Sequence, residues 1–479
     1  MPDIRYVCLS DLHFGAESSI LTCLDRARLE PDPHQTSTVM HALVDGLAGL
    51  IGANEGTQKP RLILCGDILE LALATDNIAA MVFERFIELV FTKEGRLFDD
   101  TVYFVPGNHD HHLWEAARER QYADYVRRRP LDEDLEIPWH TSRMMTEDDQ
   151  HPVEAELLTA LVQRRPHLQG VTVRAVYPNL ALRTEDNSRG LVIHHGHFVE
   201  SMYRLMSRLK DLAFPGRPTP QQVWEWESEN FAWIDFFWST LGRSGEVGED
   251  VGLIYASMNS ERKMEELAHN LAMGIAEKRN RPQPLQWLEG KGLDLVLKQV
   301  VKRVGNLERS SPSAPSAKVL HGLRSYIGGP VLNQLHAEYD GKELPDRLTF
   351  VFGHTHKPFQ LALDQPGFRR PVEVYNTGGW VVDSPKTLPL QGGAAILVDE
   401  GLNAVSLRLY NQSDDPSNYR VQLATLGNAG TNPLFARLNE RIDPERDPWS
   451  RLSQEAAKLV AERHEELATF LGEGTSPPH

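Results

Sequence analysis

Five short segments of the sequence bring carboxylate, amide and imidazole side chains together. Nine of the 19 histidines fall in four of these segments, which is more clustering than histidines scattered over a surface would give. Oxygen and imidazole nitrogen atoms are the ligands that divalent transition metals bind in proteins. The chemistry that these segments suggest is therefore metal-assisted. They are residues 10–15, 65–70, 106–112, 194–197 and 353–356.

The first two segments each offer a carboxylate directly after an apolar run. Asp11 and His13 are two residues apart, so one hard oxygen and one imidazole nitrogen could turn toward the same cation. Asp67 follows Gly66, and its two carboxylate oxygens make it a candidate bridge between two ions. The competing interpretations are a capping Asp11 beside a packed His13, and Asp67 as the N-cap of the next helix.

The third segment, Gly107-Asn108-His109-Asp110, is the most specific of the five. The amide oxygen of Asn108 could bind a hard cation without adding charge. His109 would stand beside the metals, and Asp110 could orient or charge its imidazole, as a general acid or a phosphate-stabilising group requires.

The last two segments are rich in histidine. Side chains alternate along an extended chain, so His354 and His356 are expected on the same side, where they could reach two adjacent ions. In the fourth segment His194, His195 and His197 all remain candidates for a ligand. An incidental cluster of histidines is the competing interpretation for either segment.

Each of these segments follows a run that is typical of a buried β-strand. The predicted strands are 4–9, 62–64, 102–105, 191–193 and 348–352, with further strands at 171–176, 372–375, 394–398 and 404–409. Helices are predicted at 38–51 and 78–91, so strands and helices alternate early in the chain. Ligand sites in such α/β proteins gather at the carboxyl ends of the strands, where all five segments lie.

In chain order the segments read Asp-x-His, Gly-Asp-x-x-Glu, Gly-Asn-His-Asp, His-Gly-His and Gly-His-Thr-His, over residues 4–197 and 348–383. This series resembles the signature of the calcineurin-like metallophosphoesterases. The resemblance implies an α/β (α+β) fold, with a four-layer β-sandwich flanked by helices and here a large helical cap insertion. It also implies hydrolysis of a P–O bond by a metal-bound hydroxide.

The resemblance further implies a role for individual residues. Seven residues would hold two divalent ions: Asp11, His13 and His356 the first, Asn108, His195 and His354 the second, and Asp67 both. His109 and Asp110 would be catalytic. The family pattern selects His195 from the three neighbouring histidines. A nitrogen and oxygen ligand set without thiolate favours manganese, with iron or zinc as alternatives.

The chain is expected to divide into three parts. Residues 1–197 and 348–410 would form the metallophosphoesterase core, 198–347 a helical insertion or cap, and 411–479 a C-terminal extension that ends in a helix at 451–470. Within the insertion, helices are predicted at 221–241, 258–278, 285–304 and 319–339.

Two features of the insertion suggest contacts with other molecules. Aromatic residues crowd residues 224–238, which favours core packing or a contact with a protein partner or a second copy of the chain, with an apolar-substrate groove or a membrane contact as the alternatives. Basic residues are frequent in 291–324, and Lys298 and Lys302 share a helical face. These two residues, together with Arg303 and His197, are candidate substrate contacts; a solvated face is the competing interpretation.

Composition limits the classes of function. The chain has 479 residues, 41% of them hydrophobic, which is typical of a globular protein, and a net charge of −17. That charge opposes duplex nucleic acid, although a single strand remains an alternative. Three cysteines are too few for a disulfide framework, and neither a signal peptide nor a transmembrane segment is evident. A cytoplasmic protein is expected.

The expected substrate is a phosphorylated small molecule, a nucleotide or a nucleotide-linked compound. Two enzymatic alternatives remain: a metal-dependent nuclease, with or without a partner subunit, and a hydrolase similar to UDP-2,3-diacylglucosamine pyrophosphatases, which carry a helical lid at the corresponding position. A non-catalytic, metal-stabilised scaffold is the third alternative.

Overall fold

The computed structural model describes residues 2–25, 28, 30–93, 95–146, 152–214, 216–235, 311–339, 343–427 and 429–470. Several predictions lie outside these residues. They are the helices at 258–278 and 285–304, the substrate contacts Lys298, Lys302 and Arg303, and the aromatic residues 236–238.

A large mixed β-sheet forms one half of the centre of the molecule. Its strands are β1 (Ile4–Leu9), β4 (Arg61–Leu64), β5 (Thr101–Phe104), β6 (Val153–Glu154), β7 (Thr172–Ala175), β13 (Gly392–Asp399), β14 (Ala404–Asn411) and β15 (Gln422–Ala424). They lie in the order β15-β14-β13-β1-β4-β5-β7-β6. Strands β1, β4, β5 and β7 run parallel, with Leu9, Leu64 and Phe104 side by side in register. The carboxyl ends of β1, β4 and β5 are therefore level.

A second sheet of five strands forms the other half. Its strands are β8 (Asn179–Arg183), β9 (Arg189–His194), β10 (Arg347–Phe352), β11 (Gln360–Leu363) and β12 (Val372–Asn376), in the order β11-β12-β10-β9-β8. Strands β9, β10 and β12 are parallel, and Phe352 pairs with both His194 and Asn376. Their carboxyl ends are again level. A separate hairpin consists of β2 (Thr22–Asp25) and β3 (Glu30–Thr36).

Ten α-helices are formed by the described residues. They are α1 (Thr38–Ile51), α2 (Asp76–Val90), α3 (His111–Arg128), α4 (Glu156–Gln163), α5 (Leu205–Ala213), α6 (Val223–Asp235), α7 (Ala317–Tyr326), α8 (Leu332–Tyr339), α9 (Pro433–Asn439) and α10 (Trp449–Phe470). A π-helical turn, Ile327–Val331, joins α7 to α8. None of these helices is long and apolar enough to cross a lipid bilayer.

Three apolar clusters hold the layers together. One lies between the sheets and contains Cys8, Ile63 and Val351. A second covers the outer face of the large sheet, where helices α1, α2 and α10 pack. The third covers the outer face of the small sheet. Adjacent residues of one strand, such as Val7 and Cys8, belong to different clusters, because side chains alternate between faces. The predicted arrangement of four layers is confirmed.

The described part of the insertion forms the outer layer on the small sheet. Trp226 of α6, Tyr326 of α7 and Leu335 of α8 are buried in the third cluster beside Phe350 of β10. Core packing is therefore the role of Trp226, whereas Trp224 on the same helix is 53% exposed. A protein partner at this helix stays a prediction.

The C-terminal residues are continuous with the core. Strand β15 adds to the edge of the large sheet, and Trp449 and Leu452 of α10 are buried in the cluster that covers that sheet. The boundaries between core, insertion and extension stay predictions.

Candidate dinuclear metal site

The site lies where the carboxyl ends of strands from both sheets meet. Backbone hydrogen bonds continue past the strand ends and join neighbouring loops: the N–H of Asp11 donates to the carbonyl of Gly66, and that of His13 to the carbonyl of Asp67. Across the sheets, the N–H of His354 donates to the Asp11 carboxylate at 2.9 Å. These bonds fix the spacing between loops that are distant in sequence.

Five of the site residues have left-handed backbone conformations. The φ angles are 51° for Asp11, 45° for His13, 51° for Asp67, 69° for His354 and 56° for His356. Non-glycine residues adopt this region at a cost of about 1 kcal/mol each and persist there when surrounding contacts hold them. The expectation of an extended His-x-His segment is wrong, because the chain turns twice after β10.

Glycine allows the closest approaches between these loops. A Cβ atom at Gly107 would overlap the carboxylate and backbone of Asp67, and one at Gly353 would overlap the Asp11 carboxylate. Both positions therefore exclude larger residues for steric reasons.

The first predicted ligand set comes together as expected. One ligand atom each from Asp11, His13 and His356 lies within 4.8 Å of the others, and all three residues are buried. His356 Nε2 is 3.4 Å from Asp11 Oδ1. Neither His356 Nε2 nor His13 Nε2 has a hydrogen-bond partner.

The second predicted set converges beside the first. Ligand atoms of Asp67, His195 and His354 also lie within 4.8 Å of one another. His195 Nε2 is 3.2 Å from Asn108 Oδ1 and 3.2 Å from Asp67 Oδ2. Asn108 is fully buried, so its amide oxygen faces the other ligands without contact with solvent.

Asp67 connects the two sets through one of its oxygens. Oδ1 accepts a hydrogen bond from the N–H of His109 at 2.8 Å. Oδ2 lies 3.2 Å from His195 Nε2 and 3.7 Å from His13 Nε2. Asp67 was expected to offer a separate oxygen to each ion, whereas the structure turns only Oδ2 toward both sets.

In each of the four candidate histidine ligands, one ring nitrogen lies close to an oxygen atom of another residue. The contacts are His13 Nδ1 to Glu70 at 2.8 Å, His356 Nδ1 to Asp383 at 2.7 Å, His195 Nδ1 to the Cys65 carbonyl at 3.1 Å, and His354 Nε2 to Glu200 at 3.3 Å. Such contacts fix the tautomer and orientation of metal-binding imidazoles.

The candidate general acid His109 is oriented by Glu70. Its Nδ1 lies 2.8 Å from Glu70 Oε1, while the other oxygen of the same carboxylate contacts His13. Asp110, which was expected to orient this ring, instead accepts the backbone N–H groups of Ile68 and Gly107, both at 2.7 Å. The predicted contact between Asp110 and the His109 ring is therefore wrong. The Asp110 carboxylate instead joins the loops that contain Ile68 and Gly107.

The three neighbouring histidines have different surroundings. Of the three, His195 meets Asp67 and Asn108. His194 is buried in the outer cluster, with its ring 4.6 Å from that of Tyr326, and burial keeps its pKa well below the ordinary value. His197 is fully buried, and its Nε2 contacts the Tyr177 hydroxyl at 3.1 Å. This contact favours a positioning role for His197 over the predicted contact with substrate.

Carboxylates and imidazoles in the site stabilise each other's charged forms. Burial acts to raise the pKa of Asp67, but the charges of His195 and His109 hold it well below its ordinary value. Burial acts to lower the pKa of His195, yet Asp67 and Asp11 raise it to about 9. Burial and the charge of Asp67 raise the pKa of Asp110 to about 6. A proton on His195 thus balances carboxylate charge, and a divalent cation can replace that proton when it binds.

The donor set fits divalent metal ions. The Nε2 atoms of His13 and His356 are buried in the site without a hydrogen-bond partner, which is costly unless a cation binds them. Thiols are excluded from the set, since Cys8 and Cys65 lie in the cluster between the sheets.

Comparison with known families identifies this arrangement. The model of the family described as calcineurin-like phosphoesterase matches residues 4–358, which include all five chemical segments. The chain belongs to this family. Members of the calcineurin-like phosphoesterase family are hydrolases that act on phosphoesters, and the His and Asp clusters of this chain agree with a metal-dependent activity.

Curated proteins and solved structures were also compared with this chain. None of the curated proteins is similar enough in sequence to count as a match. A cold-active protein-tyrosine phosphatase of a psychrophile, Shewanella sp., shares 11% identity over 85% of this chain and 78% of its own, with a TM-score of 0.21. A TM-score this low supports no conclusion about fold or function.

Three carboxylates of the site were not assigned roles from the sequence. Glu70 is part of the second segment, and its spacing of three residues from Asp67 was the available signal. Glu200 and Asp383 carry no local signal, because each contacts a histidine that lies 27 residues or more away in the chain.

Proposed function

We propose that this calcineurin-like phosphoesterase uses two divalent ions, manganese in preference to iron or zinc, to hydrolyse a P–O bond. The proposed substrate is a phosphorylated small molecule, a nucleotide or a nucleotide-linked compound. The observation that carries the proposal is the convergence of two buried ligand sets on Asp67 Oδ2. When bound, such ions supply an activated water and neutralise charge on the phosphoryl oxygens.

The residues of this chain supply binding and proton transfer. Asp11, His13 and His356 would hold the first ion, and Asn108, His195 and His354 the second, with Asp67 shared. His109 would donate a proton from Nε2 to the leaving oxygen, since its Nδ1 is held by Glu70. Asp110 supports this step indirectly by fixing the loop at Gly107.

The proposal predicts metal-dependent turnover. Purified protein reconstituted with Mn²⁺ is assayed on p-nitrophenyl phosphate, bis-p-nitrophenyl phosphate, a nucleotide panel, and labelled single- and double-stranded DNA. We expect hydrolysis of at least one small phosphoester, abolished by EDTA and restored by Mn²⁺. A reconstituted protein that leaves every substrate intact would contradict the proposal.

The role of His109 has a sharper test. His109→Ala should lower kcat by about 10²-fold or more, because a positioned acid contributes 10²–10⁴-fold. Metal content, measured by elemental analysis, should stay at the wild-type value. His112→Ala, three residues along the same segment, is the matched control and should retain kcat within about threefold, as expected for a residue without a role in proton transfer. Equal kcat in His109→Ala and wild type would rule out this role.

A further inference from the structure

A second buried polar cluster joins the insertion to the core beside the metal site. Its centre is Glu227 of α6, which is fully buried. Oε1 of Glu227 lies 2.8 Å from His111 Nε2, and Oε2 accepts a hydrogen bond from the Tyr177 hydroxyl at 2.9 Å. A buried carboxylate is costly unless its oxygens are paired in this way.

The hydrogen bonds of this cluster have one consistent direction. Because the Tyr177 hydroxyl donates to Glu227, its oxygen can accept from His197 Nε2, which is 3.1 Å away. His111 donates from Nε2 to the other oxygen of Glu227. Glu227 is thus the shared acceptor of two branches, one reaching His111 and one reaching His197 through Tyr177.

The two branches end next to the proposed machinery. His111 is the first residue of α3 and comes two residues after His109. His197 comes two residues after His195, and the two rings are 5.7 Å apart. Glu227 is 116 residues from His111 in the chain, so only the packing of α6 on the core brings them together.

We propose that Glu227 is a positioning residue, through which helix α6 of the insertion fixes the start of α3 and thereby the turn that carries His109. This inference rests on the proposed phosphoesterase function. The insertion would thus take part in assembling the site. Docking of α6 sets the orientation of His109, whereas the two ligand sets do not depend on the Glu227 contact.

The test compares variants that keep the shape of the side chains. Glu227→Gln should lower kcat toward the best phosphoester by about tenfold or more, since small displacements of catalytic groups cost up to about 10²-fold. KM and the two bound ions per chain should not change. His111→Gln should show the same loss, and the double variant no further loss, because both changes break one contact.

Glu229→Gln is the matched control on the same helix. Glu229 contacts Lys210 and Ser207 within the insertion, so this change perturbs α6 without touching His111. It should keep kcat within about twofold, as expected when no catalytic group is displaced. If Glu227→Gln does not fold, Tyr177→Phe, which removes the hydroxyl contacts to Glu227 and His197 but leaves the His111 contact in place, should give a smaller loss in kcat.

Three results would overturn the inference. The first is an unchanged kcat in Glu227→Gln, and the second is a fully additive loss in the double variant. The third is a third bound ion in wild type that both Glu227→Gln and His111→Gln lose, since His111, Glu115 and Glu227 lie within 4.8 Å and could themselves hold a cation. An NMR resonance from the His111 Nε2 proton, present in wild type and lost in Glu227→Gln, checks the contact without any assay of activity. Failure of the proposed function would differ from all of these, because wild type itself would be inactive.

Discussion

Glu70 contacts both a candidate metal ligand, His13, and the candidate general acid, His109. Its Oε2 holds His13 and its Oε1 holds His109, and Oε1 also accepts the N–H groups of Ala72 and Leu73 at 3.1 and 3.0 Å. Burial acts to raise the pKa of Glu70, but the two histidines keep it well below its ordinary value. The carboxylate is therefore ionised and rigid.

Replacing Glu70 should affect two properties at once. Glu70→Gln should weaken Mn²⁺ affinity by about 10–100-fold, because an orienting partner of a ligand is lost. It should also lower kcat at saturating Mn²⁺ by about tenfold, because His109 loses its own orienting contact. Titration of activity with Mn²⁺ measures both quantities.

Asp383→Asn is the matched comparison. Asp383 holds His356 Nδ1 at 2.7 Å and is the orienting partner of a ligand alone. Its replacement should weaken Mn²⁺ affinity to a similar degree but cost less in kcat at saturation. Identical losses in both parameters for the two variants would contradict the double role of Glu70.

At the scale of elements, the carboxyl ends of the strands position the candidate site. Helices that pack on the outer face of the large sheet stabilise that sheet. Strands β1, β5 and β10 were predicted to within one residue at each end, because each is an apolar run buried on both faces. Helix α3 was not predicted. Its sequence is rich in Arg, Glu and Ala, and only a few positions such as Leu113 and Trp114 are buried.

The contact between α1 and α10 predicts a difference between two glycines of α1. A Cβ atom at Gly46 would overlap the ring of Trp449, which is 4% exposed, whereas a Cβ at Gly49 meets nothing. Both changes to Ala gain the same helix propensity. Gly46→Ala should therefore be less stable than Gly49→Ala by about 1–3 kcal/mol, the usual cost of overpacking. Urea unfolding measures the difference, and equal stability of the two variants would mean that α10 does not pack on α1 in this way.

At the scale of the whole molecule, an ion pair joins Asp3, just before β1, to Arg437 of helix α9. Asp3 accepts hydrogen bonds from Arg437 at 2.8 Å and from the N–H groups of Glu55 and Gly56 at 2.9 and 2.8 Å. Burial acts to raise the pKa of Asp3, but these contacts lower it to about 2 from 3.8. A lowered folded-state pKa contributes stability that is present above the unfolded value and is lost as the pH falls through the folded value.

Asp3→Asn should therefore be destabilised by on the order of 1 kcal/mol at pH 5–7, relative to wild type. The difference should shrink as the pH falls from about 4 toward 2, because the wild-type carboxylate is protonated there. Urea unfolding in EDTA keeps metal binding out of the comparison. Asp45→Asn, which removes an exposed pair with Arg451, is the control and should show a smaller effect. A constant difference across the pH range would contradict the link to Asp3.

The layered architecture was implied by the family resemblance, whereas the sequence by itself determined the types of candidate ligand and their positions after predicted strands. These are local properties: alternation of apolar residues builds buried strands, and a strand end places the next few side chains at one edge of a sheet. The assignment of seven of these residues to two ions came from the resemblance to the calcineurin-like metallophosphoesterases.

Only the tertiary structure decided which side chains orient them. Glu70, not Asp110, contacts His109, and Glu227 contacts His111 from a position 116 residues further along the chain. Such contacts depend on how helices and strands pack together. A hydrogen bond between residues far apart in the sequence produces no local sequence pattern from which it could be predicted.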